Sequence, residues 1–418
     1  MSGPEKSKLN ITSEVDRLES VMIHQPGPEV ENMTPSTAER ALYSDILNLS
    51  VASREYDQFK KVLQAVARVY ELKDILRDVL SIPDARDEII KKLTSFSKFH
   101  LLPGQLNHLD SRELSTEIIE GIPCSSLSLS SFLHKEKFMV SPLHNAFFMR
   151  DASFVLGENV FVSSMAKRIR VPEALIMESI FTYHPELRSS VVNIRDGADQ
   201  KLHSVSIEGG DVLVFSADTL IVGIGTRTTV HAVDALVNQL ACCSAIKHIF
   251  LQELPDQPES FIHLDMAFTL LSRDECMVYQ PLILDKNEYH TIYMKLEDGK
   301  ISGISYVDNL ITGLDQAGHD LYPVLCGGRE KKNQDREQWH SGANFFAFEP
   351  GKIIAYERNV YTLEELSKKD YTIVKAEEFI MDKQKYGAVE KLVVTIEGSE
   401  LSRGGGGARC MTMPLVRG

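Results

Sequence analysis

Cys410 stands close behind the glycine run Gly404 to Gly407, in the stretch RGGGGARCMTMPL. A thiol becomes a useful nucleophile when a histidine nearby manages its protons. His263, in HLD, is such a histidine, with Asp265 two residues on. Glu208, in EGGD, can orient and charge that histidine as the third member of a relay. Asp151, in MRD, gives a second aspartate. Paired carboxylates can share a proton, bind a metal or clamp a cation. A planar guanidinium matches the last option, because its fork of N–H donors suits two carboxylates held on opposite sides. Glycines before the thiol let the backbone pass close to a flat carbon and let the loop open and close.

Each of these residues also has a plainer reading. Asp211 follows two glycines, where turn chemistry is common. On a strand, His263 and Asp265 would face one side, as a satisfied buried pair would. MRD alone says little. A glycine run is usually a linker, yet CMTMPLV is too apolar for a disordered tail. GIGTRTT is not a dinucleotide fingerprint. The other cysteines, Cys124, Cys242, Cys243, Cys276 and Cys326, form no CxxC pair. They read as reduced, buried hydrophobes, and a zinc cluster built from cysteines is not expected. Only the combination carries weight.

Something must bring these distant positions together. Short apolar runs occur in pairs joined by turn residues: NAFFMRDASFVLGENVFVSS, VSIEGGDVLVFSADTLIVGIG, HLDMAFTLLSRDECMVYQPL and ANFFAFEPGKIIAYERN, with DRLESVMIHQP fitting a fifth. Recurrence at intervals of several tens of residues predicts a repeated unit around an axis, with the site at the axis. Asp151, Glu208, Asp211, His263, Asp265 and Asn344 sit just before or within the first strand of their units. If the units are symmetry-related, these groups converge at one end. Residues from Ser53 to about Phe96 instead have helical spacing, broken at Pro83, and SRELSTEIIEGI reads as another helix. A small helical bundle is expected over about 50–130.

The chain has 418 residues, 43% hydrophobic and 25% charged, with a net charge of −14. That balance argues against nucleic acid or an anionic membrane surface and suits a cationic substrate. No apolar run approaches the roughly 18–20 residues of a membrane span. The polar start, MSGPEKSKLNITSEVDRLES, lacks an apolar signal core, so a cytoplasmic protein is expected.

With those motifs assembled, the sequence resembles the arginine deiminase family of the guanidino-modifying (pentein) superfamily, nearly end to end. NAFFMRD, IEGGDV, GTRTT, HLD, REQWHSGANFFAFEPGKIIAYERN and GGGGARCMTMPL occur in the family's order. The resemblance implies a five-fold pseudosymmetric α/β propeller over 1–50 and 130–418, with 51–129 an inserted helical domain. It implies hydrolysis of free L-arginine to L-citrulline and ammonia, without a cofactor or metal, in a homo-oligomer. By the same resemblance Cys410 is the nucleophile, His263 the general acid and base, Glu208 its partner, and Asp151 and Asp265 the guanidinium clamp. Asn145, Arg170 and Arg227 match positions that hold the α-carboxylate and α-amino end, and Asp211 joins the substrate-binding set. The chain departs from the family pattern at Met149-Arg150-Asp151-Ala152, where TRDP is common, and at Thr226, where glutamate is frequent. Some members carry an arginine within the glycine loop; here that place is glycine, with Arg403 and Arg409 flanking the run. An amidinotransferase, a dimethylarginine hydrolase, a metal-dependent hydrolase using the His/Asp cluster and a non-catalytic arginine binder are the competing readings.

Overall fold

The computed structural model describes residues 9–34, 38, 43, 45–96, 106–123, 129, 138–197, 205–243 and 245–418. Its framework is one connectivity used five times: an antiparallel hairpin, a helical crossover, and a third strand parallel to the second. The first unit pairs Ser153–Leu156 with Asn159–Val162, crosses by helix Val171–Tyr183, and adds Ser190–Asn193. The second pairs Val212–Ser216 with Thr219–Ile224, crosses by Val230–Cys243, and adds His248–Glu253. The third pairs Phe268–Leu270 with Glu275–Val278 and adds Tyr322–Leu325. The fourth pairs Phe346–Glu349 with Lys352–Tyr356 and adds Leu392–Ile396. The fifth joins the two ends of the sequence. Met413–Arg417 pairs antiparallel with Leu18–Ile23, helix Leu49–Val66 crosses over, and Arg68–Glu71 lies parallel.

The strands read as near-continuous apolar runs because helices cover the sheets. Ser153–Leu156 is buried throughout, as is most of Thr219–Ile224. Such doubly covered strands favour Val, Ile and Phe without alternation.

The helical segment differs from expectation. Val69 and Tyr70 fit the helical stripe, but Arg68–Glu71 is a strand, held by Leu18–Ile23 beside it. Tertiary pairing outweighs local spacing here. Helix Leu49–Val66 is therefore a crossover of the framework, and the helical addition starts after Glu71. It comprises Leu72–Leu80, Pro83–Phe96 and Ser111–Glu120. Asp110 and Glu113 close a capping box at the start of the last of these helices, and Gly121 ends it at φ 98°. Ile75, Leu76, Ile90 and Ile118 share one core with Ile176 and Phe181 of the first unit's helix. Cys124 and the expected boundary near 130 lie outside the described residues. A further hairpin, Thr291–Glu297 with Lys300–Val307, extends the second unit's sheet. Among the described residues, no helix is long and apolar enough to cross a membrane.

Candidate active site

The first strand of every unit is preceded by a tight polar turn. Asp151 precedes Ser153, Glu208 and Asp211 precede Val212, His263 and Asp265 precede Phe268, Asn344 precedes Phe346, and Cys410 precedes Met413. Hydrogen bonds lace these five turns into a closed ring. Gly209 N donates to Asp151 O at 3.0 Å, and Leu264 N to Asp211 Oδ1 at 2.8 Å. Asn344 Nδ2 donates to Asp265 O at 3.0 Å, and Cys410 N to Asn344 Oδ1 at 3.2 Å. Arg150 N closes the circle on Cys410 O at 3.1 Å. The backbones approach closely enough to require glycine. A Cβ on Gly210 would stand 2.5 Å from His263 Nδ1, and one on Gly407 would stand 2.7 Å from Asn344 Cβ.

His263 is not on a strand, as the sequence suggests, but leads the short turn Leu264–Met266, pinned by Asp211 through Leu264 N. Its Nε2 meets Glu208 Oε2 at 2.9 Å, and its Nδ1 lies 3.5 Å from Asp151 Oδ1. Glu208 also receives Ala166 N at 3.1 Å and Arg227 at 3.4 Å. Burial would neutralise both partners, but their mutual attraction prevails. The charge of Asp151 and the hydrogen bond His263 donates to Glu208 lift His263 to about 9. The His263 hydrogen bond and the Arg227 charge hold Glu208 at about 2. Histidine is thus a cation beside a carboxylate, poised as an acid.

Cys410 lies 3.6 and 3.7 Å from the two oxygens of Asp265. Burial first, then the charges of Asp265 and Asp151, push its thiol well above the ordinary range. An arriving cation would reverse those electrostatics.

Asn145, Asp151, Arg170, Arg227, His263 and Cys410, with Phe148, Ile262, Gly404 and Gly405, line an inner cavity of about 20 Å³. Arg227, Ile262, Gly404 and Gly405 also line an outer vestibule of about 700 Å³ with Lys167, Trp339, His340 and Arg403. Those four residues are the lip between the two. Asp151 Oδ1 is buried and accepts no hydrogen bond. Its 3.5 Å approach to His263 is an ion-pair distance without hydrogen-bond geometry. An orphan carboxylate oxygen in a closed pocket is costly unless a ligand donor meets it.

Two of the expected substrate-binding residues have protein partners of their own. Arg170 lines the cavity with three of its five N–H donors engaged: Nη1 binds Asp151 Oδ2 at 2.7 Å, while Nε and Nη2 bind Glu173 at 3.0 and 2.7 Å. It orients Asp151. Asp211 lies outside the cavity lining, fully buried, and takes Thr228 Oγ1 at 2.6 Å as well as Leu264 N. Burial raises its carboxyl to about 7. Its position supports the His263 turn. Asp265 stays at the sulfur but is already paired, with Arg409 Nη1 at 2.8 Å.

Arg409 has no role in the sequence reading. It is held by Glu14 at 2.9 and 3.0 Å and by the carbonyls of Gly210 and Val212, so it staples the loop of Cys410 to the second unit. Glu14 and Glu173 are likewise missed; a buried partner for a buried arginine leaves no local pattern. Asp151, Glu208 and His263 could offer a metal three ligand atoms within 4.8 Å of one another. Arg170 and Arg227 already neutralise those carboxylates and the imidazole is cationic, so the set suits proton traffic better than a metal.

The family model described as arginine deiminase matches residues 39–417. A relative named arginine deiminase from Mycoplasma capricolum is 31% identical, covering 99% of this chain and 98% of its own. One of the same name from Limosilactobacillus fermentum is 30% identical, covering 98% and 99%. Among solved structures, an amidinotransferase of saxitoxin biosynthesis from Microseira wollei aligns with a TM-score of 0.52 at 13% identity, over 98% of this chain and 97% of its own. The N-terminal domain of ArgZ, an arginine dihydrolase of cyanobacteria, aligns with a TM-score of 0.52 at 14% identity, over 95% and 98%.

Proposed function

The chain belongs to the arginine deiminase family, and from that premise we propose that it hydrolyses free L-arginine to L-citrulline and ammonia through a covalent adduct on Cys410. The observation that carries this reading is the buried Asp151 Oδ1, without a hydrogen bond, in a cavity shared with the Cys410 sulfur and the His263 imidazolium. A guanidinium supplies what that oxygen lacks, a planar cationic N–H donor, and its electron-poor carbon then lies in the nucleophile's cavity.

Substrate charge favours the Cys410 thiolate, which adds to the guanidinium carbon. Asp151, aimed by Arg170, and Asp265, steadied by Arg409, neutralise the charge and turn that carbon toward sulfur. The resulting tetrahedral adduct breaks a C–N bond as His263 gives its proton to the departing nitrogen, and ammonia leaves a thiouronium on Cys410. Neutral His263 takes a proton from water. The hydroxide adds to the same carbon, the hydroxyl proton of that adduct passes to solvent as the ureido carbonyl forms, the C–S bond breaks, and citrulline and thiolate are released. Glu208 keeps His263 oriented through both transfers. The ring of five turns and the repeated connectivity support a five-fold propeller with this site on its axis, and the helices Leu72–Leu80, Pro83–Phe96 and Ser111–Glu120 as a helical addition to it.

Incubation of the purified protein with arginine, agmatine and a methylated arginine, followed by ammonia and ureido assays, tests the reading. Expected is citrulline with one ammonia per turnover, unaffected by chelators. Amidine transfer to an amine without ammonia would move the chain to amidinotransferase chemistry.

A further inference from the structure

Four of the five turns carry residues with a part in the chemistry above. The fourth contributes Asn344, and its side chain is 2% exposed. Its Nδ2 lies 3.1 Å from Cys410 Sγ and 3.0 Å from Asp265 O. Its Oδ1 accepts from Arg409 N at 2.9 Å and Cys410 N at 3.2 Å. Those two backbone donors settle which way the amide points. A flipped amide would face two N–H groups with an NH2 and leave Asp265 O without its donor. The remaining Nδ2 hydrogen is therefore directed toward the sulfur, with Met266 Sδ farther off at 3.7 Å. Gly407, with no side chain, lets the loop close against Asn344.

We propose that Asn344 is a catalytic residue whose side-chain amide donates a hydrogen bond to the Cys410 thiolate, stabilising it before attack and again when it is expelled as leaving group. The proposal rests on the reading of Cys410 as the nucleophile. Sulfur needs this donor because its other neighbours are hostile to a negative charge. Asp265 lies within 3.7 Å, and Asp265 and Asp151 both work against ionisation. The substrate cation answers that repulsion only while it is bound as guanidinium. After citrulline forms that cation is gone, and Asn344 remains. A neutral donor also does this without placing a competing cation in the guanidinium pocket.

The test compares Asn344→Ala, which leaves a hole, with Asn344→Leu, which fills it. Cys410 alkylation by iodoacetamide is followed against pH in the free enzyme, with the site read by mass spectrometry. The pH profile of kcat/KM for arginine is measured alongside. Both variants should show the alkylation curve and the acid limb displaced upward by about one pH unit, with kcat/KM lowered about tenfold or more. Displacement in both marks the lost donor, since their packing effects are opposite. Unmoved profiles in either variant would overturn the proposal, even if melting temperature or active fraction fell, because a structural asparagine would produce only those losses. Should both variants be insoluble, Asn344→Ser is carried through the same titration. A wild-type protein that makes no citrulline would sink the deiminase reading instead. The alkylation arm would still decide this one, since it uses no substrate.

Discussion

The Cys410 sulfur is asked to make and break a bond, and no neighbour can replace it. Cys410→Ala should abolish turnover while leaving the melting curve near that of wild type; full activity in that variant would end the nucleophile assignment. The pair of His263 and Glu208 makes a sharper claim through pH. His263, ordinarily near 6.5, sits at about 9 in the fold. A raised histidine contributes stability fully below 6.5 and loses it as pH climbs to about 9. Glu208, ordinarily near 4.5, sits at about 2, so its contribution is present above 4.5 and lost as pH falls toward 2. The pair therefore helps the fold most between those limits. In catalysis the imidazolium is the acid, so the basic limb of kcat follows His263. Glu208→Gln removes the charge and weakens the hydrogen bond that lift it, and should move that limb down by about one pH unit. An unmoved limb would mean another group titrates there. Cys410, His263, Glu208 and Asp151 were legible because reactive residue types stand at turns before apolar runs. Arg409, Glu14 and Glu173 were not, because their meaning lies in pairing across hundreds of positions.

At the scale of elements, the glycine loop is less free than its composition suggests. Helix Leu49–Val66 buries Glu55 completely, and its carboxylate accepts Ser399 N at 2.9 Å, Glu400 N at 3.0 Å, Leu401 N at 2.8 Å and the Ser399 hydroxyl. Those residues are the base of the loop that carries Gly404, Gly405 and Cys410. Asp45 binds Arg403 from the outside, where both side chains are about half exposed, and Arg403 also reaches Glu400 at 3.2 Å. Orphaning buried donors costs about 1–3 kcal/mol each, whereas an exposed ion pair contributes about 0–1 kcal/mol. Glu55→Ala should therefore lower the melting temperature by several degrees and kcat about tenfold, while Arg403→Ala leaves the melting temperature unchanged. Indistinguishable melts for the two variants would remove Glu55 from this role. Sequence patterning places helices and strand pairs correctly wherever apolar spacing and turn residues agree. It failed at Arg68–Glu71, where Val69 and Tyr70 continue a helical stripe and only the neighbouring strand decides. It also passed over Thr291–Val307, whose second strand is almost wholly exposed and so lacks an apolar signature.

On the scale of the whole molecule, five turns from five units meet in one hydrogen-bonded ring, and the first and last strands pair within one sheet. The order of approach is then fixed: a ligand crosses the vestibule, passes the lip of Arg227, Ile262, Gly404 and Gly405, and presents its far end to Cys410. A guanidinium at Asp151 leaves the α-carbon end near that lip. Arg170 has three of its five donors engaged by Asp151 and Glu173, whereas Arg227, on the lip itself, is the less committed arginine to meet an α-carboxylate there. Its hydrogen bond to Glu208, at 3.4 Å, is long. A charged group built to be paired penalises a ligand that leaves it unpaired, by about 2–5 kcal/mol where it is buried. Free arginine should therefore be turned over much faster than agmatine, which lacks the carboxylate, or arginine within a peptide. Arg227→Ala should lower kcat/KM for arginine far more than for agmatine and narrow the ratio between them. Arg170→Ala should depress both, because it releases Asp151 whichever substrate is bound. Side-by-side kcat/KM values decide the matter: equal values for arginine, agmatine and a blocked arginine peptide in the wild type would defeat the free-amino-acid specificity, and an unchanged ratio in Arg227→Ala would place the carboxylate elsewhere.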